Sequence, residues 1–168
     1  MVTRQKVSRP YTQALLYAAY QATARELVDA LATAGHADVR HKHGAVFANL
    51  NREGTRASVL AERAGIGRAA MGELVDELER LGHVERRPDP ADRRAKLVRP
   101  TERGLAVIDV VHRVNRAIER RLAEGLGEEG YAALRRALET IVPDAPAQPR
   151  IAPRPGGGRR RHPSPPGG

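Results

Sequence analysis

Three groups of residues in this 168-residue chain have types and spacings that could do chemistry. The first is Asp92-Arg93-Arg94, flanked by the turn-forming run Pro88-Asp-Pro-Ala and by Lys96. An arginine on a rigid arm can enter the narrow, electronegative minor groove of duplex DNA. Asp92 cannot itself approach a phosphate, so it reads as the partner that orients an arginine fork. The plainer reading is an exposed turn with an incidental ion pair, a common and weak arrangement. The second group is Arg68-Ala-Ala-Met-Gly-Glu73, in which Arg68, Ala69, Gly72 and Glu73 share a face with Asp76. Arginine there can read guanine, and glutamate can accept from cytosine N4 while repelling phosphate. The third group is the histidines, His36, His41, His43, His83, His112 and His162. His41 and His43 stand two apart and point to different faces of a helix. Surface or pocket-lining roles therefore outweigh a metal site across His36, His41 and His112, and neither a metal nor a cofactor is expected. There is no cysteine, which removes disulfides, thiolate metal sites and thiol redox sensing. No phosphate-binding glycine loop and no nucleophile elbow is present, so the pattern does not point to an enzyme.

The elements that must position these residues are mostly helical. A first helix is expected over 10–34, with Leu15, Leu16, Ala19, Leu27, Val28 and Leu31 inward, and a second from Asp38 to Leu50. A third is expected after Thr55 as its N-cap, with Arg56 at its start, and ends before Gly65. The fourth runs from Arg68 to Leu81, with Met71, Leu74, Val75, Leu78 and Leu81 as a continuous apolar stripe. The third and fourth are joined by Ala64-Gly65-Ile66-Gly67, the length and composition of a helix-turn-helix turn. The period then changes. Residues 84–87 and 96–99 read as strands of a hairpin with a long tip. Thr101 caps a long helix from Glu102 to about Gly125. Ile108, Val111, Asn115, Ile118 and Leu122 repeat along it as a coiled-coil-like seam, and a last helix spans 128–141. The fold expected is mostly α with a small β-hairpin wing: a winged helix-turn-helix with N- and C-terminal dimerisation helices.

Composition frames this reading. Lys and Arg number 29 against 20 Asp and Glu, a net charge of +9 that favours a polyanionic partner. Residues 1–9 read as a flexible N-terminus, 10–142 as the folded domain, and 143–168 as a disordered basic tail rich in Pro, Gly and Arg. The tail holds five arginines and one aspartate, leaving +5 for the folded part. The winged lobe is placed at about 53–100 and the dimerisation helices at about 10–34 and 102–142. No apolar run is long enough to span a bilayer and the N-terminus lacks a signal-peptide pattern, so a cytoplasmic location without membrane association is expected.

Taken together, Ser58-Val-Leu-Ala-Glu-Arg-Ala-Gly-Ile66, the run from Leu74 through Asp92-Arg93-Arg94 to Val98, and Thr101-Glu-Arg-Gly104 resemble the MarR family of bacterial regulators. The resemblance is strong from about Val39 to Gly104. It implies a homodimer on two half-sites of double-stranded DNA, released in many members by a small aromatic or anionic effector. Arg56, Arg68, Ala69, Gly72, Glu73, Asp92, Arg93, Arg94 and Lys96 become the DNA-binding candidates. Tyr17, Tyr20, His41, Phe47 and His112 become the candidates for an effector pocket. The recognition helix departs from the family's usual Ser/Thr-rich start, so direct base readout is thin. A ligand-responsive repressor is the expected function, with an architectural DNA-coating protein as the alternative.

Overall fold

The computed structural model describes residues 9–142 and Ile151, with Arg93 described by its backbone alone. Helix α1 spans Thr12–Thr33 and begins just past Pro10, a residue that suits a helix start. A single 3-10 turn, His41–His43, then leads into the one-turn helix α2, Gly44–Phe47. The long second helix expected over this segment does not form. Val46, Phe47 and Leu50 are nevertheless buried, because a tight, irregular segment can point them into one core.

Helix α3, Ala57–Ala64, and helix α4, Arg68–Arg80, form the helix-turn-helix. Gly65 closes α3 with φ 65°, a left-handed conformation that needs no Cβ. Leu60, Met71, Val75 and Leu78 are fully buried between the two helices and the sheet. Thr55 does not cap α3; it belongs to a two-residue strand β1, Thr55–Arg56. Its hydroxyl accepts instead from the Asn51 amide at 3.0 Å. Strands β2, Val84–Asp89, and β3, Asp92–Pro100, make the hairpin, and β1 adds to the free edge of β3 in the order β1-β3-β2. All pairings are antiparallel, with Thr55 opposite Val98 and Val84 opposite Pro100. The hairpin tip is a tight Pro90-Ala91 turn rather than the long loop expected.

Thr101 caps α5, Glu102–Ile141, by accepting from the Gly104 amide at 3.2 Å. The helix is broken at Gly127, whose φ of 69° and ψ of 166° divide it into the two arms expected from sequence. The second arm packs on the first through Tyr131 and Arg135, which both bond Glu119. Glu26 of α1 and Arg121 of α5 form a two-pronged ion pair at 2.8 and 3.1 Å.

Two expectations about apolar faces are corrected. The seam on α5 is not open for a partner: Ile108 and Ile118 are buried within the chain, and Val111 and Leu122 pack against the same core. On α1 the reverse holds. Leu31 is buried and Leu27 half-buried, but Leu15, Leu16 and Val28 are exposed rather than inward. The helical period correctly identifies an apolar face; only the core's position decides which turns of it are covered.

Candidate nucleic-acid interface and adjoining pocket

Helix α4 turns its apolar stripe into the lobe, which leaves Arg68, Ala69, Glu73 and Asp76 exposed and Gly72 half-exposed on the opposite face. Gly67, at the N-cap, offers no side-chain cap, so the first amides of α4 stay available to an external acceptor. Further along, the acids of α4 turn toward the wing. Arg86 of β2 bonds Asp76 at 2.5 Å and also bonds Glu79, whose other oxygen accepts from the Arg86 amide at 3.0 Å. These charge-assisted contacts tie α4 to the hairpin and neutralise acid on α4.

The wing tip is organised by two aspartates. Asp89 is buried and accepts from the Ala91 amide at 2.9 Å and from Arg56 Nε at 2.7 Å. The amide and the guanidinium together hold its carboxyl below the usual aspartate range. Asp92 accepts from the Arg94 amide at 3.1 Å and lies 3.5 Å from Arg56. The arginine fork oriented here is therefore that of Arg56. Asp92 governs the Arg94 backbone, and it is Arg56, not Arg94, whose guanidinium it meets. Arg94 and Lys96 are exposed on β3, with Arg93 between this pair and the turn. Arg56, Arg94, Lys96 and the start of α4 all belong to the one winged lobe. Asp89 and Arg86 were not singled out in the sequence. The repeated acid in Asp89-Pro-Ala-Asp92 was the only signal for the first, and Arg86 had none.

Behind the lobe lies a cavity of about 250 Å³. Leu27, Val28 and Leu31 of α1 form one wall, and Val107, Ile108, Val111 and Asn115 of α5 form another. Phe47 and Ala48 also line it, and Arg40 and His41 supply its polar nitrogen groups. Of the pocket candidates, His41 and Phe47 line the cavity. Tyr20 stands beside it, bonded to His41 with their rings edge to face at 5.5 Å. Tyr17 is exposed on α1 and bonds Gln21, and His112 bonds the Ile151 carbonyl instead; neither lines the cavity.

The next two residues after His41 face the other way. Lys42 pairs with Glu77 of α4, and the fully buried His43 places Nε2 3.4 Å from the same carboxylate. Three consecutive residues thus join the cavity to the recognition helix. Burial pushes His43 below the ordinary imidazole value despite Glu77. His83 is likewise fully buried, donates to Asp38 at 3.2 Å, and is pushed down by burial. Arg103 holds the same aspartate at 2.7 Å, and the His36 ring lies 5.8 Å from that of His83. Among the described residues no group of three or more His, Asp or Glu side chains could hold a metal ion. None of the described helices is long and apolar enough to cross a membrane.

Comparison with known proteins agrees with this architecture. The sequence profile of the MarR family matches residues 37–95. The uncharacterized HTH-type transcriptional regulator YfiV of Bacillus subtilis (strain 168) is 31% identical over 96 residues, 56% of this chain. The match covers 51% of YfiV, so this chain spans about half the length of that relative. A MarR-family transcriptional regulator from Rhodococcus sp. RHA1 superposes with a TM-score of 0.56 at 28% identity, covering 80% of this chain and 96% of its own. CouR from Rhodococcus jostii RHA1, solved bound to p-coumaroyl-CoA, is 32% identical with a TM-score of 0.58, covering 76% and 88%. The shared lobe, wing and flanking helices, together with these matches, establish that the chain belongs to the MarR family of transcriptional regulators.

Proposed function

We propose that this protein is a cytoplasmic, sequence-specific regulator of transcription that binds double-stranded DNA as a homodimer and is released by a small-molecule effector. The observation that carries the DNA reading is one lobe presenting the open N-terminus and outer face of α4 beside a wing whose Arg94 and Lys96 are exposed. In this arrangement α4 enters the major groove while the wing reaches the adjoining minor groove. Dimerisation is supported by α1, whose first nine residues are all exposed although they include Leu15, Leu16, Tyr17 and Tyr20. With Tyr11, and with Leu138 and Ile141 at the end of α5, this is a large apolar surface for a single chain to leave in water. A two-fold dimer implies a pseudo-palindromic operator with half-sites about 10 base pairs apart.

The cavity suits an apolar, planar group bearing an anionic or polar end, with Arg40 to meet the charge and His41 and Asn115 to hydrogen-bond. The p-coumaroyl-CoA bound in CouR has such an end in its aromatic acyl group. An occupant pressing on His41 would shift Lys42 and His43 and thereby Glu77 on α4, which makes the protein a ligand-responsive repressor. A second reading, an architectural DNA binder, is favoured by Ala69 and Gly72, which offer no side-chain donor to a base.

Competition footprinting on genomic fragments separates the two. A discrete protected site that survives excess random duplex, and that is released by an aryl carboxylate or its thioester, supports the regulator. Uniform protection with a steep salt dependence supports the architectural protein.

A further inference from the structure

Ile151 stands ten residues beyond the end of α5, inside the stretch that composition alone marks as disordered; the rest of that stretch lies outside the described residues. Ile151 is only 1% exposed and belongs to the same buried cluster as Leu105 and Ile108 of α5. Its backbone is held as well: the carbonyl oxygen lies 2.6 Å from His112 Nε2. A carbonyl can only accept, so the imidazole carries its proton on Nε2 and donates. An apolar side chain gains by leaving water, but the carbonyl it carries in must find a donor. His112 supplies that donor, and the two contacts together fix both the residue and its orientation.

We propose that the flank of α5 at His112 is a docking site for the chain's own C-terminal segment, with Ile151 as the anchor. Ile108 and Val111, one turn before His112 and immediately before it, line the cavity. The anchor therefore bears on the turn of α5 that forms a cavity wall.

Trypsin tests the docking directly, because the Arg150–Ile151 bond is a cleavage site adjoining the anchor. Cleavage of a docked segment requires it to open, so the rate reports the open population. In the full chain without DNA, mass spectrometry should show this bond cut about tenfold or more slowly than in a synthetic peptide of residues 145–155. His112→Ala leaves the tail sequence untouched and should speed the cut about fivefold, while His112→Gln, which keeps a donor, should recover part of the protection. Ile151→Ala, compared with its own matched peptide, should remove most of it. Circular dichroism should show each variant folded. Cleavage of the unaltered chain at the peptide rate, or protection unchanged by both His112→Ala and Ile151→Ala, overturns the docking. Neither result bears on DNA binding, which the footprinting assay decides separately.

Discussion

The winged lobe and the helical arms are built from similar residues, yet they end in opposite states. In the lobe, Leu60, Met71, Val75 and Leu78 are removed from water by α3, α4 and the sheet of the same chain. In the arms, α1 buries Leu31 but leaves Leu15 55% and Tyr17 63% exposed. Both stretches carry apolar residues at helical spacing. That spacing identifies an apolar face; it does not state what covers it. The lobe buries its stripe within one chain, whereas α1 leaves most of its apolar residues exposed.

The largest expected effect follows from that contrast. Leu15→Glu with Leu16→Glu places two charges on the face assigned to the dimer and touches nothing in the lobe. Both leucines are about half exposed in the single chain, so completing their burial on two protomers contributes about 3–6 kcal/mol, and dissociation should be favoured by a factor of about 100 or more. Sedimentation at micromolar concentration should show monomer, with the lobe's melting transition retained. An unchanged mass would show that another surface pairs the chains and would erase the distinction drawn here.

The joint between the two regions should be the next most sensitive point. A Cβ at Gly104 would sit far inside contact distance of the His83 carbonyl oxygen and 3.1 Å from its carbon. Both are backbone atoms that cannot swing aside. Gly104→Ala should destabilise the fold by about 3 kcal/mol in chemical denaturation, because the start of α5 must part from the base of β2. By contrast Gly125→Ala, where an added Cβ meets nothing within 4 Å, should be neutral or slightly stabilising. Equal losses at the two positions would mean that the joint is looser than its geometry.

These cases also mark what was legible in the sequence. The stripe of α4, the glycine turn before it and the Thr101 cap are local patterns, and each recurs in the structure. Thr101-Glu-Arg-Gly104 was legible as a motif, while its reason, the crowding of Gly104 against His83, needed the fold. Strand β1 was illegible because two residues carry no period and pair with Val98 and Leu97 some forty positions away. Arg56 and Asp89 meet across 33 residues, and Glu77 meets Lys42 across 35. The 3-10 turn at His41–His43 was hidden for the opposite reason: its apolar neighbours mimic a longer helix.

Acid should sharpen the comparison, because His36, His43 and His83 all lie where α1 and the 3-10 turn meet the lobe. Burial holds all three below the ordinary imidazole value, with Asp38 and Glu77 opposing and Arg103, Lys42 and Arg40 assisting. Above about pH 7.5 both folded and unfolded imidazoles are almost wholly neutral, and stability is flat in this respect. As pH falls below that value the unfolded chain takes up protons first, so stability declines until the folded imidazoles also protonate. Each unit by which a pKa is held down withdraws about 1.4 kcal/mol across that window. The carboxylates of Asp38, Glu77 and Asp89 are also held down, and their contribution is lost only below about pH 4. Denaturant midpoints at pH 8.5, 7.5 and 5.5 should therefore stay level in the upper interval and fall in the lower. A midpoint that rises on acidification would mean that the three imidazoles are stabilised as cations.

The smallest effect discriminates most finely, because it sets geometry against charge within the wing. Asp92 accepts from the Arg94 amide at 3.1 Å and shares Arg56 with Asp89. Counting charges, Asp92→Ala removes an acid from the surface proposed to meet phosphate and should tighten binding to every duplex. Counting contacts, it frees the backbone that aims Arg94 and loosens one of the two acids that hold Arg56. A side chain aimed in advance loses less entropy on binding than one that must be ordered. Arg94→Ala should cost about 1–3 kcal/mol on the specific operator and less on random duplex. Asp92→Ala should follow it in the same direction, by about 0.5–1 kcal/mol, the size of one exposed hydrogen bond and its partner charge. Both should be titrated on operator and random DNA at one salt concentration, since phosphate contacts vary steeply with salt. Tighter, less selective binding by Asp92→Ala would reduce the wing to a basic patch. Weaker binding confined to the operator would instead show that the wing, like the lobe beneath it, works by being held in place.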